Sequence, residues 1–254
     1  MAMLLSDGFE SGNYSAWTTT ENFGCLGAGG SMAVNSNLVL NGSFSSEHYY
    51  KIGTGCAAHQ DQNRFFRHDL VSSSATVFFR GNIRFKTPEP GGTVNGVQRK
   101  LFRYMQARDN PTWWTGLTSD SSSGTIPLRA YKNSSDNDPV STSFWNLYTL
   151  NYDQWYLIEF YVSANTPGLS DGTMTLWVDG VKRWERLAEN LRGSKTSGIK
   201  VVLIGEQSDR TNTNVIDEKR YWDNVEIWNT NPLADESSPI PPAHGLRGRG
   251  HKLR

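Results

Sequence analysis

The run Thr76-Val77-Phe78-Phe79-Arg80-Gly81-Asn82-Ile83-Arg84-Phe85 sets Val77, Phe79, Gly81, Ile83 and Phe85 on one side and Phe78, Arg80, Asn82 and Arg84 on the other. Strict alternation of this kind marks a half-buried strand, with one face on a core and a second face carrying two arginines and an amide. Working outward, Arg99 to Ala107 and Leu128 to Lys132 read as further strands, the former with Lys100, Phe102, Tyr104 and Gln106 on one side. Trp155 to Val162 and Met174 to Val178 are more apolar and read as central strands. Asp179-Gly180, before Val181 to Glu185, has the chemistry of a two-residue hairpin, because a type I′ turn needs positive φ at both positions. Lys200 to Gly205 and Arg220 to Trp228 complete the set, while Leu187 to Leu191 reads as one short helical turn.

Composition agrees with strands rather than helices. The 254 residues include 9 Trp, 10 Tyr, 11 Phe and 24 Gly, and only 37% are hydrophobic. Aromatic and turn-forming residues suit sheets joined by loops. Many short strands over this length point to a single all-β domain, a two-sheet antiparallel β-sandwich or jelly roll. That domain spans residues 1 to 230. The stretch from 231 to 254 has four prolines (Pro232, Pro239, Pro241, Pro242) and a basic end, and reads as a disordered tail.

Lys and Arg total 25 against 25 Asp and Glu, which disfavours a nucleic-acid partner. No apolar run reaches the length of a membrane span. The first residues lack a basic segment before an apolar one, so no secretory signal is expected, and the compartment stays open. Cys25 and Cys56 allow either a bridge or two thiols. Asp209-Arg210 and Asp217-Glu218-Lys219-Arg220 bracket a polar segment that reads as a solvated loop with surface ion pairs.

Three stretches together resemble the concanavalin A-like lectin/glucanase superfamily: Asp7-Gly8-Phe9-Glu10-Ser11-Gly12 with Trp17; Trp155-Tyr156-Leu157-Ile158-Glu159-Phe160 followed by Asp171-Gly172-Thr173-Met174-Thr175-Leu176-Trp177-Val178-Asp179-Gly180; and Tyr221-Trp222-Asp223-Asn224-Val225. Within it, the hairpin and the pairing of Phe79–Phe85 with Arg99–Tyr104 look most like jelly-roll polysaccharide lyases. The alginate-lyase signatures R-S-E-L-R and Q-I-H are absent, as is the glucanase motif E-x-D-x-x-E, which disfavours a two-carboxylate hydrolase. The resemblance implies a concave sheet lined by glycan-binding side chains. It also implies a structural Ca²⁺ joining the first and last strands, with Glu10, Asp223 and Asp7 on the matching segments. No organic cofactor is implied.

The expected partner is a polysaccharide, acidic because arginines bind uronate carboxylates in a bidentate manner. A β-eliminating lyase must neutralise the carboxylate, remove the C5 proton and protonate the departing oxygen. The candidates for this work are Arg80, Arg84, Lys100, Tyr104 and Tyr131. Asn82, Arg103, Trp113, Trp114, Arg129, Tyr161 and His59 are candidate substrate contacts, with one indole of the Trp113-Trp114 pair expected to face solvent. His68, Trp145 and Tyr148 are further glycan-facing types. The same groove also fits a non-catalytic lectin-like module, and the fold fits a viral or particle-surface protein.

Overall fold

The computed structural model describes residues 2–23, 31–52, 63–87, 97–106, 113–120, 125–134, 142–205, 208–210 and 216–234. Its strands form two eight-stranded antiparallel sheets packed face to face. The first sheet runs in the order β13 (Val181–Glu189), β12 (Gly172–Val178), β11 (Trp155–Ser163), β6 (Thr76–Phe85), β16 (Ile216–Trp228), β4 (Ser45–Ile52) and β3 (Ser31–Asn35), with β1 (Met3–Asp7) also on β16. The second runs β10 (Thr142–Asn151), β9 (Thr125–Ser134), β8 (Trp113–Asp120), β7 (Val97–Met105), β14 (Ile199–Ile204), β5 (Asn63–Ser74) and β2 (Thr19–Phe23), with β15 (Ser208–Arg210) on β7. This is the expected all-β sandwich, and among the described residues no helix is long and apolar enough to cross a membrane.

Alternation dictates the core. Val77, Phe79, Ile83 and Phe85 of β6 enter it, as do Ile158, Phe160 and Val162 of β11. Phe79 stacks on Phe102 across the sheets at 4.5 Å between ring centroids, and Phe160 lies 5.3 Å from Phe102. The Asp179-Gly180 turn has φ of 53° and 72°, the paired positive values that a type I′ hairpin requires.

Three expectations are corrected. Leu187 to Leu191 forms no helical turn: β13 continues to Glu189, because its residues pair with β12 through Gly172↔Glu189. Glu218 and Arg220 lie on β16 and are fully buried at 2.7 Å from each other, with the guanidinium 4.0 Å over the Tyr50 ring, so they form no solvated loop. Most consequentially, β6 and β7 do not pair. β6 takes β11 and β16 as neighbours, and β7 belongs to the other sheet. Cys25 and Cys56 lie outside the described residues.

One ion pair ties the two sheets together at their shared edge. Lys132 of β9 donates to Glu189 of β13 at 2.6 Å, and Arg186 donates to the same carboxylate at 2.8 Å. Burial pushes the Glu189 carboxyl up, but the Lys132 and Arg186 hydrogen bonds outweigh it and hold the group below the ordinary carboxylate range. A carboxyl depressed in the folded state contributes stability that is fully present above its unfolded pKa of about 4.3 and is lost as pH falls through the folded value. Denaturant melts are therefore expected to show stability declining below about pH 4.5. Lys132→Met, which leaves Glu189 buried with one partner, is expected to cost about 3 kcal/mol at neutral pH and to flatten that acid dependence.

Candidate functional site

The outer face of the second sheet holds a cavity of about 420 Å³, within the roughly 300–1,000 Å³ typical of ligand sites. It is lined by Lys100 and Arg103 of β7, Trp114 and Thr118 of β8, Arg129, Tyr131 and Asn133 of β9, and Ser143 of β10, with Lys132 at one end. Four of these residues are cationic, and no carboxylate lines the cavity among the described residues.

The register explains how these side chains meet. Arg103, Gly116 and Tyr131 are direct cross-strand neighbours on β7, β8 and β9. With no side chain at Gly116, Arg103 reaches across β8 and its Nε–H donates to the Tyr131 hydroxyl oxygen at 3.1 Å. On the adjacent tier Arg129 donates from Nε to Thr118 Oγ1 at 3.0 Å, and its guanidinium lies 4.0 Å over the Trp145 ring. Below the polar groups, Phe65, Met105, Val201 and Leu203 form a small buried apolar cluster on this outer face, with Trp114 packed against it. Trp114 thus has an apolar base and a wet edge, the arrangement with which indoles meet sugar rings.

A bulge in β7 decides which of its residues reach the groove. Lys100 pairs with Thr118 and Phe102 with Leu117, so two steps of β7 oppose one of β8. Leu101 and Phe102 both enter the core, and alternation changes phase between Lys100 and Phe102. Lys100 and Tyr104 therefore do not share a face. Tyr104 is fully buried and donates its hydroxyl to the Phe160 carbonyl across the sandwich at 3.0 Å. Burial raises that phenol well above its ordinary value, which removes it from acid–base work on a ligand. Trp113 is likewise in the core, its Nε1 donating to the Ser197 carbonyl at 3.1 Å, so Trp114 is the outward member of the pair.

Arg80, Asn82 and Arg84 face outward from the other sheet, on the far side of the core from the cavity. Their surroundings differ as well. Arg80 contacts the buried Glu159 at 2.7 Å and Glu226 at 3.7 Å, and Arg84 contacts Asp153 at 3.5 Å. The Arg80 pairs run across strands of one sheet and Asp153 sits in the turn before β11, which answers the expectation that the two arginines share a groove with Lys100 and Tyr131. Tyr161 of β11, opposite Phe78, also lies in that sheet. His68 shares the inward face of Phe66 and Leu70, where burial lowers its pKa. Tyr148 lies beneath Arg183, 4.6 Å from the guanidinium, and packs against the core. His59 lies outside the described residues.

Glu10 and Asp223 use their carboxylate oxygens on backbone amides. Glu10 accepts from Ser43 N at 2.9 Å and Phe44 N at 3.2 Å, and Asp223 accepts from Leu40 N at 3.0 Å, Asn41 N at 3.2 Å and Asn224 N at 2.8 Å. Asp7 accepts from Phe9 N and Trp17 Nε1, both at 2.7 Å. Amide N–H groups directed at these oxygens fit carboxylates that cap a loop, not the oxygen cage that Ca²⁺ takes. Among the described residues no group of three or more His, Cys, Asp or Glu is placed to hold a metal.

The cavity contributors missed by sequence reasoning are Thr118, Asn133, Ser143 and Lys132, along with the gap at Gly116. A Gly between Thr115 and Leu117 in a Trp- and Thr-rich run was the one available signal, since a glycine inside a strand often marks a close backbone approach.

No family model and no curated protein sequence matches the chain. Solved structures do. An endo-β-1,4-glucuronan lyase from the fungus Trichoderma reesei superposes with a TM-score of 0.70 at 13% identity, covering 92% of this chain and 98% of that one. An alginate lyase from Aplysia kurodai gives 0.62 at 14% identity over 90% and 99% of the two chains. An alginate lyase from a Chlorella virus gives 0.60 at 14% identity over 89% and 99%. The chain thus has the jelly-roll sandwich fold of these polysaccharide lyases, over nearly the full length of each.

Gly116 gives a direct test of the cavity floor. A Cβ there would lie 2.2 Å from the Phe102 carbonyl oxygen and 3.0 Å from Arg103 Cα, both backbone atoms. Gly116→Ala is expected to push β7 from β8 and cost about 1–3 kcal/mol, read as a lowered thermal midpoint. The Arg103–Tyr131 hydrogen bond is expected to be lost with it.

Proposed function

We propose that this protein is a lyase that cleaves an acidic, uronic-acid-containing polysaccharide by β-elimination, on a sandwich of the concanavalin A-like kind. The observation that carries the reading is the Arg103–Tyr131 hydrogen bond at 3.1 Å in a cavity lined by Lys100, Arg129 and Lys132. The glycan lies along β7 to β10 with a uronate carboxylate against Arg103 and Lys100. Pairing with those cations neutralises the carboxylate and makes the C5 proton removable.

Tyr131 supplies the proton transfers. A guanidinium N–H donated to its oxygen stabilises negative charge there, the form a base takes. The phenolate removes the C5 proton, the C5–H electrons form the C4–C5 double bond, and the C4–O bond breaks. The phenol so formed returns its proton to the departing oxygen, leaving a new chain end and an unsaturated uronate. Arg129 and Asn133 contact neighbouring units, and Trp114 offers a ring edge to a sugar face. The jelly-roll neighbours that act on glucuronan and alginate support this substrate class.

The test is a panel of glucuronan, alginate, pectate and glycosaminoglycans, followed by the ultraviolet absorbance of the unsaturated product. Absorbance is expected to rise on at least one polymer. Tyr131→Phe is expected to lower turnover by about 10²–10⁴-fold with binding retained. Arg84→Gln, on the far sheet, is expected to leave turnover within about twofold and to act on stability alone, at the roughly 0–1 kcal/mol of an exposed ion pair. A flat trace on every polymer, with binding intact, would make the groove a lectin-like recognition surface.

A further inference from the structure

We propose that Trp145 is the platform of an outlying sugar subsite, placed next to the cavity so that the site prefers longer acidic chains over short ones. The inference rests on the groove being the glycan site, as proposed above. Trp145 is 59% exposed, the most exposed aromatic side chain among the described residues, and sits on the edge strand β10. Burial elsewhere does not explain this position. Phe144 and Leu147 on either side are packed on the core while the indole is exposed.

The local backbone shows how. Phe144 pairs with Ala130 and Tyr148 with Leu128, so three residues of β10 (Trp145, Asn146 and Leu147) stand opposite the single residue Arg129. Asn146 takes φ of 56°, a left-handed value that an Asn tolerates better than most residues. Both flanks of the bulge are anchored against the opposite sheet. Phe144 packs on Trp184 at 5.2 Å between centroids, and the Arg183 guanidinium lies 4.6 Å over Tyr148. Leu147 packs on the core. With those three fixed, the extra residues of the bulge carry the indole outward over Arg129. Bulges at sheet edges re-aim side chains in this way.

Arg129 makes the platform continuous with the cavity. Its guanidinium lies 4.0 Å over the Trp145 ring and also lines the cavity wall, with Nε fixed on Thr118. The buried guanidinium thus supports a largely exposed indole from one side. The guanidinium backs one face of the indole, and the opposite face is open to the C–H face of a sugar, while the cations of the adjoining cavity favour acidic units. Trp145 itself does not line the cavity. A disaccharide held by Arg103 and Tyr131 is therefore expected to engage the indole less than a longer chain does.

The experiment titrates acidic oligosaccharides of increasing length, glucuronate and alginate series, into the full chain carrying Tyr131→Phe to prevent turnover. Affinity is read calorimetrically, with and without Trp145→Ala. Trp145→Ala is expected to weaken the long oligomers about 3- to 10-fold and to leave the disaccharide unchanged, with Trp145→Tyr recovering most of the loss. Trp145→Leu keeps apolar volume over Arg129 without a flat ring and is expected to behave like Trp145→Ala, so the comparison survives if the alanine variant folds poorly. Equal affinities at every length, or an equal loss at every length, would overturn the subsite. Absence of binding by any acidic oligomer would overturn it together with the proposed function. Length-dependent loss in a protein whose unsubstituted chain shows no lyase product would sustain the subsite and sink the lyase reading alone.

Discussion

The Phe79–Phe102 stack across the sandwich, 4.5 Å between centroids, fixes the phase of the two strands that matter most. Strand side chains alternate with a period of two, so turning Phe79 inward turns Arg80, Asn82 and Arg84 outward, and turning Phe102 inward turns Arg103 outward. Packed sheets lie about 10 Å apart, so those two outward sets face opposite ways with the core between them. A single ligand does not touch both. The division of labour between the faces follows from this one apolar contact.

Identical residue types then acquire different roles from their neighbours. On the β6 face each arginine meets carboxylates, Glu159 and Glu226 of adjoining strands for Arg80 and Asp153 of the turn before β11 for Arg84. Glu159 is fully buried, which makes its pair with Arg80 structural. On the β7 face the contacts of Arg103 and Arg129 include hydroxyls and an indole: Tyr131, Thr118 and Trp145. Hydroxyl and aromatic partners of this kind orient a guanidinium along the groove.

Much of the fold was legible because it rests on local pattern. The strands at Thr76–Phe85, Trp155–Ser163 and Gly172–Val178 alternate cleanly, and Asp179-Gly180 announces its turn. Strands such as Trp113–Asp120 and Thr142–Asn151 were not legible: the first interrupts its pattern with Gly116, and the second carries a bulge of two extra residues. Of the site, Lys100, Arg103, Trp114, Arg129 and Tyr131 were visible as residue types on strands, and the cavity brings them together. Arg80, Arg84 and Tyr161 were assigned to the same surface because strand order is non-local. Nothing in Thr76–Phe85 states that its partners are β11 and β16, some 70 and 140 residues later. Tyr104 is placed in the core by a one-residue bulge, and for the Trp113-Trp114 pair the sequence shows that one indole faces outward without showing which.

Bulges are the device that converts a regular sandwich into a site. The one at Lys100–Phe102 sends Lys100 outward while keeping Leu101 and Phe102 in the core, adding a cation to the groove without removing an apolar anchor. The one at Phe144–Tyr148 lifts Trp145 over Arg129 while both flanking aromatics stay packed. A third, between Asp223 and Glu226 on β16, places Asn224 at φ of 49° beside the buried Asp223, which holds the amides of Leu40 and Asn41. In each case an irregularity of one or two residues separates the demand of the core from the demand of the surface. An unbroken period of two would force a choice between them: Lys100 would share the buried face of Phe102 and Tyr104, and the groove would lose that charge.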